Sequence, residues 1–101
     1  MEKIETDREF GDGSLIDLYF MDPLLLTDHG TTFQQIHSYG KEYSFEFAEE
    51  ISQKYECSLK EGRLLYEMPN SSEYELKKGI NQMCSAMIEI EKSGYYISKD
   101  N

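Results

Sequence analysis

From residue 15 the chain runs LIDLYF, in which Ile16, Leu18 and Phe20 alternate with Leu15, Asp17 and Tyr19. A period of two, with one wholly apolar side and one mixed side, predicts a strand covered on one face. Met21, Asp22 and Pro23 interrupt it, because proline fixes its own φ and drives the preceding residue out of helical geometry. Leu24, Leu25, Leu26 and Thr27 then return, so residues 15–27 are expected to form an antiparallel hairpin. Ahead of it, residues 2–13 are polar and acidic and end in Gly11, Asp12 and Gly13. That is the pattern of a lead-in or of an edge strand closed by a turn.

The period then changes from two to between three and four. Thr31 and Thr32 each precede a glutamine by three residues, Gln34 and Gln35, the spacing of a capping box at a helix start. Phe33 and Ile36 share one side of the short helix so begun, and Gly40 stands where a left-handed C-terminal cap belongs. A second helix is expected from Ser44, with Phe47, Ala48, Ile51 and Tyr55 inward and Glu46, Glu49, Glu50 and Gln53 outward. CSLK and RLLYEM flank Glu61 and Gly62 as a further hairpin. Pro69 and Asn70 break the chain, and Ser72 with Glu75 offers another capping box. Leu76, Ile80, Met83, Met87 and Ile90 then repeat at helical spacing until Gly94, with Cys84 and Ile88 widening the stripe.

The predicted order is strand, strand, helix, helix, strand, strand, helix. It argues an α+β domain: a small antiparallel sheet of hairpins packed against three helices, the C-terminal one longest. A length of 101 residues allows one domain, with residues 1–13 as the acidic lead-in or edge strand and 14–97 as the folded core. Phe33, Phe45, Phe47, Tyr55 and Tyr66 are the expected aromatic filling of that core, while Tyr95 and Tyr96 follow the last helix and either pack its end or lie in an interface.

Charge changes the picture more than length does. Asp and Glu number 20 against 10 Lys and Arg, a formal net charge of −10. A chain so acidic repels nucleic-acid phosphates and anionic membranes, and the same field attracts basic proteins and speeds their encounter. No stretch approaches the roughly 18 apolar residues of a membrane span. Cys57 and Cys84 have no close spacing, and the opening MEKIETDREF has no apolar run, so a reduced, cytoplasmic setting in a bacterial host cell is expected.

Candidate chemistry is thin. The stretch TDHGTT places Asp28 and His29 among three threonines, but adjacent residues in a strand or turn point apart, and no nucleophile accompanies them. The expectation is that Asp28 accepts amide hydrogen bonds, Gly30 supplies a left-handed angle and the threonines cap the helix. His29, His37 and the two cysteines lack the spacing of a structural zinc site. No cofactor or metal is expected, and Cys84, on the apolar stripe, is expected to be a buried small hydrophobe.

The strand with an acidic end, followed by Leu25, Leu26, Thr27, Asp28, His29 and Gly30 and then a short helix, resembles a bacterial and phage family of uncharacterised small domains. That family is marked by a Leu-Leu-Thr-Asp-Asp-Gly turn, and here His29 stands in place of the second aspartate. Asp17 and Tyr19 match its acidic and aromatic strand positions. The resemblance runs from Gly13 to about Ile90 and implies an α+β fold and a link with phages or mobile elements; it implies no reaction.

The leading expectation is therefore a non-enzymatic inhibitor of the anti-CRISPR, anti-restriction or antitoxin kind. It would cover a basic surface of a nuclease or other nucleic-acid-binding protein with carboxylates that imitate phosphates. Glu42, Glu46, Glu49, Glu50, Glu73, Glu75, Tyr95 and Tyr96 are the candidate partner-binding residues. Two alternatives are a metal-dependent hydrolase or nuclease using Asp17, Asp28 and His29, and a homodimer joined through the last helix.

Overall fold

The computed structural model describes residues 1–96. Its elements are β1 (Glu2–Glu9), β2 (Leu15–Met21), β3 (Leu25–Thr27), α1 (Thr31–Ser38), β4 (Lys41–Glu42), α2 (Phe45–Lys54), β5 (Ser58–Lys60), β6 (Arg63–Glu67), α3 (Glu73–Lys92) and β7 (Tyr95–Tyr96). Five strands form one antiparallel sheet in the order β1-β2-β3-β6-β5, and β4 pairs with β7 in a separate two-stranded ribbon. The fold is α+β, with the 20-residue α3 the longest helix. The end of the expected folded core, Ile97, lies outside the described residues.

Residues 2–9 are a paired edge strand, with Ile4 opposite Leu18 and Glu5 opposite Asp17. The expected hairpin over 15–27 is present, Phe20 facing Leu26 and Met21 facing Leu25. Lys60 faces Arg63 across a two-residue turn in which both Glu61 (φ 52°) and Gly62 (φ 75°) are left-handed. That combination suits the right-handed twist of the flanking strands, so Glu61 takes the place Asn or Asp usually holds.

One face of the sheet is dry. Ile16, Leu18, Leu26, Leu64 and Tyr66 are buried, and Met83, Cys84, Met87 and Ile90 of α3 are fully buried with them. The methionine and isoleucine stripe is thus consumed by the chain's own core. Half-buried Leu76, Ile80 and Ile88, with exposed Tyr74, are the large apolar residues α3 has left to offer a second copy. Gly79 lets α3 approach closely: a Cβ there would stand 2.8 Å from Leu26 Cδ1 and 3.0 Å from the Tyr66 ring.

Two expectations need correction. Phe45 and Phe47 do not fill the core; they are 54% and 59% exposed. The inward side of α2 is set by the small residues Ala48 and Ser52, which are its buried positions, and Phe47 lies about 100° round from Ala48. The threonines do not form the capping box either. The N-cap of α1 is Gly30, left-handed at φ 82°. The free amide of Thr32 is instead satisfied by Asp28 Oδ2 at 3.2 Å, while Thr31 Oγ1 donates to the Asp28 carbonyl. Thr32 is fully buried, and its hydroxyl has no hydrogen-bond partner among the described residues. By contrast Ser44 and Ser72 cap α2 and α3 as their positions predict, accepting from the Phe47 and Glu75 amides.

Candidate functional site

The corner between β3 and α1 is a structural joint. Asp28 is fully buried, and its carboxylate accepts from the amides of Gly30 (2.9 Å), Thr32 (3.2 Å) and Leu64 (2.9 Å). The Asp28 amide donates back to the Leu64 carbonyl at 3.3 Å, so one side chain ties the end of β3, the start of α1 and strand β6 together. The expectation that Asp28 accepts amides in the turn is met, with Leu64 as an added donor. His29 is exposed, its ring 5.4 Å from that of Tyr19. Asp17 lies on the open face of the sheet, 3.4 Å from Lys3 Nζ. Asp17, Asp28 and His29 do not converge, and among the described residues no group of three His, Cys, Asp or Glu is placed to hold a metal ion.

Both thiols are buried. Burial pushes the Cys57 thiol up to about 12, with the negative charge of Asp28 adding to it, and burial raises Cys84 in the same direction. The reactive form is the thiolate, so both should be inert in the native fold. At neutral pH neither cysteine is expected to react with a colorimetric disulfide reagent until denaturant is added, when both do. Rapid labelling of either in buffer alone would contradict the packing.

The candidate partner-binding residues fall into two groups. Glu73 and Glu75 stand at the start of α3, and Glu73 pairs with Lys77 at 3.3 Å. Tyr95 and Tyr96 lie beyond its other end, about 30 Å away along a helix of 20 residues at 1.5 Å per residue. There the ribbon sets Glu42 opposite Tyr95 and Lys41 opposite Tyr96, and two residues after Glu42 the chain enters the cap of α2. Six of the eight candidates, Glu42, Glu46, Glu49, Glu50, Tyr95 and Tyr96, belong to β4, α2 and β7, elements linked through β4, which precedes α2 in the chain and pairs with β7.

This surface is both aromatic and acidic. Phe45 and Phe47 are more than half exposed, and so are Tyr95 (51%) and Tyr96 (69%). Phe47 and Glu50 are neighbours at i,i+3 on the helix. Glu46 and Glu50 are like charges at i,i+4, an arrangement that costs a few tenths of a kcal/mol. Lys54, one turn beyond Glu50, could relieve it, but its ammonium is 3.0 Å from Glu89 of α3. Among the described residues, Glu46, Glu49 and Glu50 have no ion-pair partner. Glu42 has His37 Nε2 at 3.6 Å, and Lys41 lies 5.1 Å from the centre of the Tyr96 ring.

Sequence reasoning missed Phe45 and Phe47 as surface residues. The signal was present: Ala48 and Ser52, small residues four apart, mark the close-packed side of a helix whose register Ser44 already fixes.

A second polar junction holds this end of the molecule to the sheet. Asp12 accepts from the Ser14 amide and hydroxyl, from Gln35 Nε2 and from the Tyr39 hydroxyl. These bonds, Ser14's first, hold its carboxyl far below the usual carboxylate range, and the same contact raises the Tyr39 phenol. Glu91 Oε1 accepts from the Gly11 amide at 2.9 Å. The β1–β2 turn is thereby fastened to α1 and to the end of α3.

Comparison of the chain with protein-family models, with curated proteins and with solved structures found no match in any of the three. Among the described residues no helix is long and apolar enough to cross a membrane.

Proposed function

We propose that this chain is a non-enzymatic protein-binding module, an inhibitor that covers the basic, nucleic-acid-binding surface of a partner. The observation that carries the reading is the exposed side of β4, α2 and β7, which presents four aromatics and three carboxylates that have no ion-pair partner among the described residues. Exposed aromatics that bury large area at low entropic cost are the usual anchors of a protein interface. Carboxylates held around them steer a cationic partner and fix its register. In this reading Phe45, Phe47, Tyr95 and Tyr96 supply the affinity, and Glu42, Glu46, Glu49 and Glu50 compete for the Lys and Arg side chains that phosphates would occupy. Glu73 and Glu75, a helix length away, lie outside this contact. The resemblance of the Leu25–Gly30 turn to phage and mobile-element domains is consistent with a target in bacterial defence, such as a CRISPR or restriction nuclease or a toxin.

The test starts from the protein captured by the tagged chain in its bacterial host, purified and titrated back. Three results are expected: binding weakens steeply as salt rises, duplex nucleic acid displaces the module, and the double variant F45A/F47A binds at least about 30-fold more weakly, roughly 2 kcal/mol. Its folding stability should stay within about 0.5 kcal/mol of the parent, because both rings are solvent-facing. An affinity indifferent to salt and unaffected by nucleic acid would remove the reading.

A further inference from the structure

The cleft between β1, the end of α2 and the outer side of α3 has a charge opposite to that of the molecule. Ser85, Ile88, Glu89 and Lys92 line it from α3, Tyr55 from the residue after α2 and Arg8 from β1, around a volume of about 260 Å³. The α3 residues are spaced i, i+3, i+4 and i+7, one face of the helix.

Arg8 reaches this cleft because β1 is irregular. Pairing passes from Glu5 opposite Asp17 to Glu9 opposite Leu15, so Thr6, Asp7 and Arg8 together face Ile16. Thr6 Oγ1 fastens the bulge, donating to the Ile16 carbonyl at 2.7 Å and accepting from the Arg8 amide at 3.2 Å. Bulges commonly re-aim a side chain, and here the guanidinium is carried over α3. Its one side-chain bond among the described residues is a long 3.5 Å contact to Asn81 Oδ1.

In a chain with 20 acidic residues, an arginine without a carboxylate is unexpected. Among the described residues neither Arg8 nor Lys92 has an ion-pair partner. The one carboxylate in the cleft, Glu89, is already engaged by Lys54 at 3.0 Å and by the Tyr55 hydroxyl at 3.4 Å. Two cations therefore remain uncompensated, beside a Ser85 hydroxyl with no protein partner among the described residues. Asp7, Glu9 and Glu91 flank the two cations in the chain but do not line the cleft, and at physiological salt the screening length is about 8 Å, so charges farther off count for little there.

We propose that this cleft binds a phosphoryl group, Arg8 and Lys92 supplying the charge and Ser85 a further donor. Donors that arrive from a strand and from two turns of a helix suit a tetrahedral anion better than a planar carboxylate. The volume is sufficient for a phosphate or a small monoester. The blander reading of Arg8 is that an inward-pointing charge guards the edge strand against pairing with another sheet. That role requires neither Lys92 nor a free hydroxyl.

The experiment is an amide ¹H–¹⁵N titration of the full chain with inorganic phosphate, at ionic strength held constant with chloride, and in parallel with O-phosphoserine and with acetate. Saturable shifts confined to Arg8, Ser85, Glu89 and Lys92 are expected with both phosphates, and R8Q and K92Q should each weaken them about tenfold, the loss of one charge-assisted bond. Tighter binding of phosphoserine identifies a phosphorylated molecule as the ligand, and equal binding identifies free phosphate. Shifts that never saturate, that scatter over the chain, that acetate reproduces, or that survive in R8Q/K92Q would overturn the assignment. The spectra of the variants verify that each remains folded.

Discussion

Replacing Asp28 by alanine is expected to lower the unfolding free energy by about 3 to 5 kcal/mol, a large share of the roughly 5 to 15 kcal/mol that holds a domain of this size. The variant strips three amides of their acceptor, the buried ones of Thr32 and Leu64 and the partly buried one of Gly30. Each orphaned donor keeps its full desolvation cost, while the relief from no longer burying a charge offsets part of the sum. Asn at the same position should recover about half, since its carbonyl can serve two of the amides and its NH₂ must then face the third. Urea denaturation of the three proteins checks this. A loss below about 1 kcal/mol in the alanine variant would mean that water or a shifted loop takes over the amides, and that the corner is not the joint described.

Valine at Gly79 should cost about 3 kcal/mol, lowering the melting temperature by roughly 10 to 20 °C. Helix propensity alone predicts the opposite sign for Gly79→Ala, a gain of about 1 kcal/mol. The space does not permit it. Leu26 Cδ1 is the end of a flexible side chain and can shift a little from a new Cβ, but the Tyr66 ring, 3.0 Å off, is rigid and buried and cannot. We expect alanine to come out about 1 kcal/mol less stable than glycine and valine far worse, because its γ-carbons must lift α3 off the sheet. Thermal melts of the pair settle the matter, and an alanine variant that melts higher than the parent would show that the helix–sheet contact is looser than its geometry.

The elements visible in the sequence were those with long or strongly marked patterns. Leu76 to Ile90 holds helical spacing for four turns, and Ile16, Leu18 and Phe20 alternate cleanly, so α3 and β2 follow directly. Glu61–Gly62 marks the β5–β6 turn despite its atypical residue, because Gly62 and two flanking apolar runs leave few other conformations. An edge strand needs only one apolar side and can be polar elsewhere, so β1 could not be told from a loose lead-in. A two-residue strand has no period at all, and β4 and β7 exist only as each other's partners across more than fifty residues of chain.

That pairing is also why the candidate surface was half legible. Its ingredients, the carboxylates of α2 and the tyrosine pair, stood out by composition. What links the tyrosines to this part of the chain is Glu42 meeting Tyr95, which no local pattern encodes. The misplaced phenylalanines have a different cause. An apolar residue in an amphipathic segment is assigned to the core by default, and only the small pair Ala48 and Ser52 shows where the core touches.

The β4–β7 ribbon gives the molecule a built-in reporter. Two paired residues on each strand cost little to part, so their amides should exchange with solvent far sooner than those of the neighbouring α3 interior, without the remainder of the chain opening. Anything that settles on Tyr95 and Tyr96 must suppress this fraying first, and occupancy of the surface would be readable as slowed deuterium uptake at Lys41 and Glu42 alone.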